Sequence, residues 1–561
     1  MKKFGKSVIA AMVFLMITVI LPTSNASIKL KIQNIPSIQD PSPGYWETSE
    51  YMIGKIAVGI ILPESNGSID VSTEDWTDFE IQQCLNKIQY SLDWWSSQNP
   101  NANVTFVTEV HARVPTSYEL ISHNFADVER AYAASEIMTY LGYPINYSNP
   151  KPYSKYQIQD YLNDLRKRLN TDWAFEIDII DASNDADGKY ADGIGANANA
   201  GGPHLQVPVK TTQDLDWRVA HEMAHIFWAR DEYDGRTEYS GYLNASDIEG
   251  SGGIMQTPGS WSISGKPQGL QGTWGQIGWR DTNGNGIQDI VDTEPRVYLN
   301  QPEITDNRLN CSGVSAATPY PNKNPYTRNP QGKRDVTINK ISVQFRVDSG
   351  NWTLATPTDG SFGGAIENFT FLTPSLNPGN HTLTIKAVDN WGNEGYTNQT
   401  VEIPRPHPVA DFSCDPKVPW VNETVQFNAS FSFSPNGNIT SYQWNFGDNN
   451  ITTVSTPIIN HTYMNVGNHS VTLNVTDNQG LWNTTTKSIA ITFRTDLNKD
   501  GTVNIMDIAI VARAYGSHGP DIPNPGDPPS SNWNAIADMD KNGWINIIDI
   551  ATVAKDYGKS L

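Results

Sequence analysis

Near Pro295 the chain changes texture, and no single fold accommodates both halves. Upstream, Ile56 to Leu62 (IAVGIIL) reads as a buried strand, and Asp78 to Trp95 as a helix with Ile81, Leu85, Ile88 and Leu92 on one face. Asn103 to Val114 returns to strand pattern, followed by a helix near Lys155 to Leu169, a strand from Trp173 to Ile180 and a helix from Asp216 to Ala229. This β-α-β-α-β order predicts an α/β domain on a mainly parallel sheet. Downstream, short alternating strands between Gly, Asn and Pro turns predict β-sandwiches. Ser342 to Val347 and His381 to Val388 are strands of the first, and Val409 to Thr492 makes a second.

The net charge of −21 excludes a nucleic-acid partner, because a polyanion would be repelled. Three widely separated cysteines, Cys84, Cys311 and Cys414, cannot make a disulfide framework. Stability must come from cores and bound metal. The N-terminus has Lys2, Lys3 and Lys6, an apolar run from Val8 to Leu21, and small residues up to Ala26, which predicts a signal peptide cleaved after Ala26. The run is shorter than the roughly 20 residues a membrane span needs, and no later stretch spans either, so the mature chain is expected to be secreted or cell-surface associated. Asn-X-Ser/Thr triplets crowd between Asn351 and Asn483, which makes a glycosylated surface an expectation wherever the host modifies Asn.

The chemistry centres on His221-Glu-Met-Ala-His225. Two imidazoles four residues apart project from one helical face toward a single ion, and Glu222 beside them can take a proton from water activated by Zn²⁺. Two ligands are too few, and Asp231 and Glu232 follow. A helix that ran on regularly would carry a residue six or seven positions later roughly 10 Å further along the axis, so a turn near Trp228 or Ala229 is required.

The string HEMAHIFWARDEYD resembles the extended HExxHxxGxxH/D motif of metzincin-type metallopeptidases, and its Asp-Glu-Tyr ending is similar to that of secreted peptidases of the immune-inhibitor type. The resemblance covers roughly the first 290 residues. It implies a metzincin-like α/β domain with Asp231 as third zinc ligand, Glu232 being the alternative. Trp228 departs from the pattern, standing where the family has the Gly that breaks the helix; a left-handed turn is less comfortable there. Gly252-Gly-Ile-Met255 resembles the Met-turn that underlies such sites, with Met255 as structural support. Gly201-Gly-Pro-His204-Leu-Gln-Val207 is expected to be the edge strand that pairs an extended substrate, with His204 a reserve ligand.

Three segments carry oxygen ligands at calcium-loop spacing: Asp281, Asn283, Asn285, Asp289 and Asp292 around Gly286; Asp496, Asn498, Asp500, Asn504 and Asp507 around Gly501; and Asp538, Asp540, Asn542, Asn546 and Asp549 around Gly543. Asp at the twelfth position and the Tyr515-Gly516 and Tyr557-Gly558 endings make Asp496 to Leu561 resemble a type I dockerin, each half a Ca²⁺ loop and one helix, which implies a cohesin-type partner. Tyr442-Gln-Trp444-Asn-Phe446-Gly447-Asp448 and His461-Thr-Tyr463 make the preceding sandwich resemble a PKD-type module.

The expected organisation is a signal peptide (1–26), a zinc metallopeptidase domain (27–294), an Ig-like sandwich (295–405), a PKD-like sandwich (406–493) and a small helical dockerin-like calcium domain (494–561). The expected activity is hydrolysis of peptide bonds in a protein or peptide substrate, with Glu222 as general base. A non-catalytic surface adhesin that retains the fold is the alternative, and the presence of Glu222 separates the two, since a binding protein needs no base between metal ligands.

Overall fold

The computed structural model describes residues 37–125, 133–145, 154–232, 237–246, 253–255, 263 and 271–561. The expected signal peptide, Tyr233 and Gly252 lie outside them. Five strands form the first sheet: β1 (Lys55–Ser65), β2 (Thr105–Thr116), β3 (Trp173–Asp181), β4 (Asn197–Ala198) and β5 (His204–Val209), in the order β2-β1-β3-β5-β4. β1 runs parallel to β2 and β3, β3 parallel to β5, and only β4 is antiparallel. Every residue of β3 is buried, because helices cover both faces of the sheet. Trp173, Phe175, Ile177 and Ile179 pack with Ile88, Leu92 and Trp95 of the helix Asp78–Gln98 and with the helix Leu215–Ile226. Ala174 and Ile180 face Ile158, Leu162 and Leu165 of the helix Ser154–Arg168.

The expected edge strand is not at the edge. All six residues of β5 are buried between β3 and β4, and the dipeptide Asn197–Ala198 forms the margin. The Gly-Gly-Pro lead-in is a turn against the helix Leu215–Ile226, with the Gly201 N–H donating to His225 O at 2.8 Å.

The first sandwich begins earlier than its clearest strands. Arg296–Leu299, Glu303–Thr305 and Arg308–Ala316 join Thr356–Pro357 and Ile366–Leu372 in one sheet. Thr353–Leu354, Ile341–Val347, Gly379–Asp389 and Glu394–Ile403 form the other. Phe345 and Phe371 stack between them at 3.9 Å. Between these sets of strands, residues 317–340 run back over the α/β domain. The Tyr242 hydroxyl donates to Tyr320 O at 2.9 Å and accepts from Val336 N–H at 2.7 Å, and Arg334 pairs with buried Glu47 at 2.9 Å.

The chain divides into two compact units, Met1–Val401 and Glu402–Leu561. In the second, a three-stranded and a four-stranded sheet enclose Phe412, Phe427, Trp444, Phe446, Leu473 and Val475. The tail contributes two short helices, Ile505–Ala514 and Ile547–Lys555, capped alike by Asn504 with Asp507 and by Asn546 with Asp549. Val503, Val511, Ile545 and Val553 are its core. Among the described residues no helix is long and apolar enough to cross a membrane.

Candidate metal centre

His221 and His225 lie one turn apart on the helix Leu215–Ile226 and project from one face. The helix ends just beyond them. Trp228 N–H donates to His225 O at 2.9 Å and Ala229 N–H to Ala224 O at 3.0 Å, the paired bonds of a Schellman ending. That motif needs a left-handed residue, and Trp228 takes it with φ +77°. The expected turn is therefore made at Trp228 itself, without the Gly that would make it easy. Its indole is buried against Gly201, where any Cβ would overlap the six-membered ring.

The reversal has two consequences. It aims Ala229 O at the His225 ring, where it accepts from Nδ1–H at 2.8 Å. It also returns Asp231 to the histidines, with Oδ1 3.2 Å from His221 Nε2 and 3.3 Å from His225 Nε2. Ile254 O accepts from His221 Nδ1–H at 2.8 Å, so both rings are held with Nε2 as the free lone pair. Trp217, four residues before His221 and so on the same face, stacks on that ring at 5.0 Å. Bonds of about 2.05 Å to a tetrahedral zinc place neighbouring ligand atoms about 3.3 Å apart, which the Asp231 contacts match. Asp231 Oδ1 is buried and receives no well-aligned hydrogen bond, as expected of an atom built to face a cation. The donor set fits Zn²⁺.

Glu232 is turned elsewhere. Its Oε1 accepts from the Thr273 hydroxyl at 2.8 Å and its N–H donates to Met255 O at 2.9 Å. Met255 is fully buried. His204, on β5 with Glu176 as register partner, is not among the converging groups. Glu222 is buried and lines a cleft of about 540 Å³ with Trp217, Arg218 and His221. Burial raises its pKa, and the two nearby imidazoles oppose that rise. Burial also acts to raise Asp231, but the facing imidazoles outweigh it and hold the carboxyl well below its ordinary range. The sequence reading missed the supporting carbonyls of Ile254 and Ala229, which leave no side-chain signal, and Trp217, whose i−4 spacing from His221 was visible.

Gly201→Ala should loosen this ending. Overlap with the indole costs roughly 1–3 kcal/mol, and an L-residue at φ +80° a further 1–2 kcal/mol, roughly. The effect is read as zinc content and unfolding midpoint of the Gly201→Ala variant against wild type. A midpoint unmoved by Gly201→Ala would contradict the packing.

In the tail, corresponding bonds recur in both loops. Asp496 and Asp538 accept from Gly501 and Gly543 N–H at 2.9 and 2.8 Å, and those glycines sit at φ +92° and +85°. Asp507 and Asp549 each bridge the start of the loop to the helix cap. Asp538, Asp540 and Asp549 place carboxylate oxygens within 4.8 Å of one another, a site for a hard cation. Asn498 and Asn542 donate to Asp500 and Asp540. Asn504 and Asn546 turn their side-chain oxygens to cap the helices, accepting from Met506 and Ile548 N–H. Burial, with Asp507 and Asp500 facing it, raises the Asp496 pKa despite the Gly501 bond. In the loop at Asp281, Asp281 accepts from Gly284 and Gly286 N–H, and Asp292 from the Asn283 and Asn285 amides. Asp289 is committed to Thr282, and among the described residues no three carboxylates of this loop converge.

Comparison with known proteins identifies the C-terminal modules. Residues 405–493 match the PKD domain and residues 494–556 the dockerin type I domain. A microbial collagenase of Vibrio alginolyticus is 41% identical over 71 residues, 13% of this chain and 8% of that protein. Collagenase ColA of Bacillus cereus is 42% identical over 60 residues, 11% of this chain and 6% of that protein. The chain thus spans less than a tenth of the length of either curated relative. Among solved structures, the PKD1 domain of the Vibrio cholerae metalloprotease PrtV is 34% identical, covering 15% of this chain and 98% of that one with a TM-score of 0.14. The chain therefore carries a PKD domain followed directly by a type I dockerin domain.

Proposed function

We propose that this protein is a secreted zinc endopeptidase of metzincin-like type, with a catalytic domain over 27–294, an Ig-like sandwich over 295–405, and the PKD and dockerin modules positioning it. The observation that carries the reading is the convergence of His221, His225 and Asp231 within 4.8 Å of one another, with Asp231 Oδ1 3.2 and 3.3 Å from the two Nε2 atoms, beside a buried Glu222. The partial likeness to microbial collagenases agrees with it. A bound Zn²⁺ would supply Lewis acidity toward a water and the scissile carbonyl. His221, His225 and Asp231 would hold it. Glu222 takes the proton from the attacking water and delivers it to the leaving amine. The cleft beside Glu222 seats the substrate next to these groups.

In the dockerin, Ca²⁺ would be held by Asp496, Asp500 and Asp507 with Asn498, and by Asp538, Asp540 and Asp549 with Asn542. Ile505, Met506, Ile547 and Ile548 are all more than half exposed at matching positions of the two halves, an apolar face suited to a cohesin-type partner. Purified protein should contain about one zinc per chain and cleave casein, with cleavage abolished by a chelator and restored by zinc. Stoichiometric zinc without cleavage of any denatured protein would instead make it the non-catalytic adhesin.

A further inference from the structure

The two calcium loops share their caps and most of their internal bonds, with Asn and Asp exchanged at the third and fifth positions (Asn498 and Asp500 against Asp540 and Asn542), but among the described residues only the first is gripped from outside the dockerin. Trp420, on a loop of the PKD sandwich, donates its Nε1–H to Asp496 O at 2.7 Å, the carbonyl of the first residue of that loop. Lys499, at the fourth position with φ +60°, lays its ammonium 4.1 Å from the centre of the same indole, and Arg494 lies 4.3 Å from it. Lys499 also approaches Glu423 at 3.6 Å, and Glu423 accepts from Trp420 N–H at 2.8 Å. Val421 N–H donates to Thr492 O, and Thr492 N–H to Pro419 O, so backbone bonds tie this loop to the chain entering the dockerin. Trp420 packs against the dockerin core. In the second loop Lys541 occupies the matching position at φ +59°, and among the described residues it has no ion pair and no aromatic ring.

We propose that the PKD sandwich is a structural part of the first calcium site, with Trp420 pre-forming the Asp496–Asp507 loop so that Ca²⁺ affinity there, and not at the second site, depends on the PKD domain. A loop whose first carbonyl and fourth residue are already fixed loses less freedom when it closes on an ion. Metal bound in the first loop in turn holds Asp496 and Lys499 in the positions that grip Trp420, so the ion should tighten the junction between the two modules by the same coupling.

This inference rests on the calcium reading of the loops, and calorimetric titration of the full-length protein with Ca²⁺ separates the two. Wild type should show two dockerin sites. Trp420→Ala should weaken one about tenfold and leave the other unchanged. Trp420→Phe, which keeps the ring and removes only the Nε1 donor, should weaken the same site by a few-fold, and Trp482→Ala, an exposed tryptophan of the same sandwich, should change neither. Trypsin supplies a second readout: Ca²⁺ should protect the bonds after Arg494 and Lys499 in wild type and no longer do so in Trp420→Ala. Failure of wild type to bind Ca²⁺ in the tail would overturn the calcium reading itself. Two sites unmoved by Trp420→Ala, or both weakened equally, would overturn the coupling.

Discussion

Glu222→Gln should retain zinc and lose hydrolysis by roughly 10²–10⁴-fold, the span expected when a general base is removed. The glutamine keeps the shape of a buried side chain and cannot take a proton, while His221, His225 and Asp231 keep their positions. Zinc content by metal analysis and the initial rate of casein cleavage, measured on the same preparation, distinguish loss of the base from loss of the ion. Rates within a few-fold of wild type would sink the mechanism.

Asp231→Ala is expected to weaken zinc binding by more than the roughly 10–100-fold that loss of a supporting residue costs, because the proposed third ligand goes. Glu232→Ala should weaken it less, since that carboxylate serves Thr273 and lies outside the converging set. Competition with a chromogenic chelator gives both affinities without reference to activity. The reverse order would move the third ligand to Glu232.

The central strands were legible because burial on both faces leaves apolar runs such as Ile56 to Leu62. The margin of the sheet was not, since the dipeptide Asn197–Ala198 is too short to carry a period, and the more strand-like His204–Val209 drew the assignment instead. Burial of Glu176 and Asp178 on β3 also had no sequence signal: acids within a strand normally mark a solvent face. The spacing of His221 and His225 contained the two rings on one helical face, and Asp231 followed from resemblance. What no local pattern could supply was the left-handed Trp228. Its conformation is settled by Gly201, distant in sequence, which leaves the space the indole fills. The helix Ala133–Tyr140 and the strand Arg296–Leu299 went unassigned because each is short, and the longer strand Arg308–Ala316 because much of its pairing is with Ile366–Leu372, some sixty residues on.

Residues 317–340 decide where such a protein can be cut and recombined. A gene split after Glu294 would strip Tyr242 of both its backbone partners and leave Glu47 buried without Arg334. The exchangeable cassette is therefore the whole stretch up to about Val401, α/β domain and sandwich together. Shuffling during descent would preserve that pair and place its seams downstream of it.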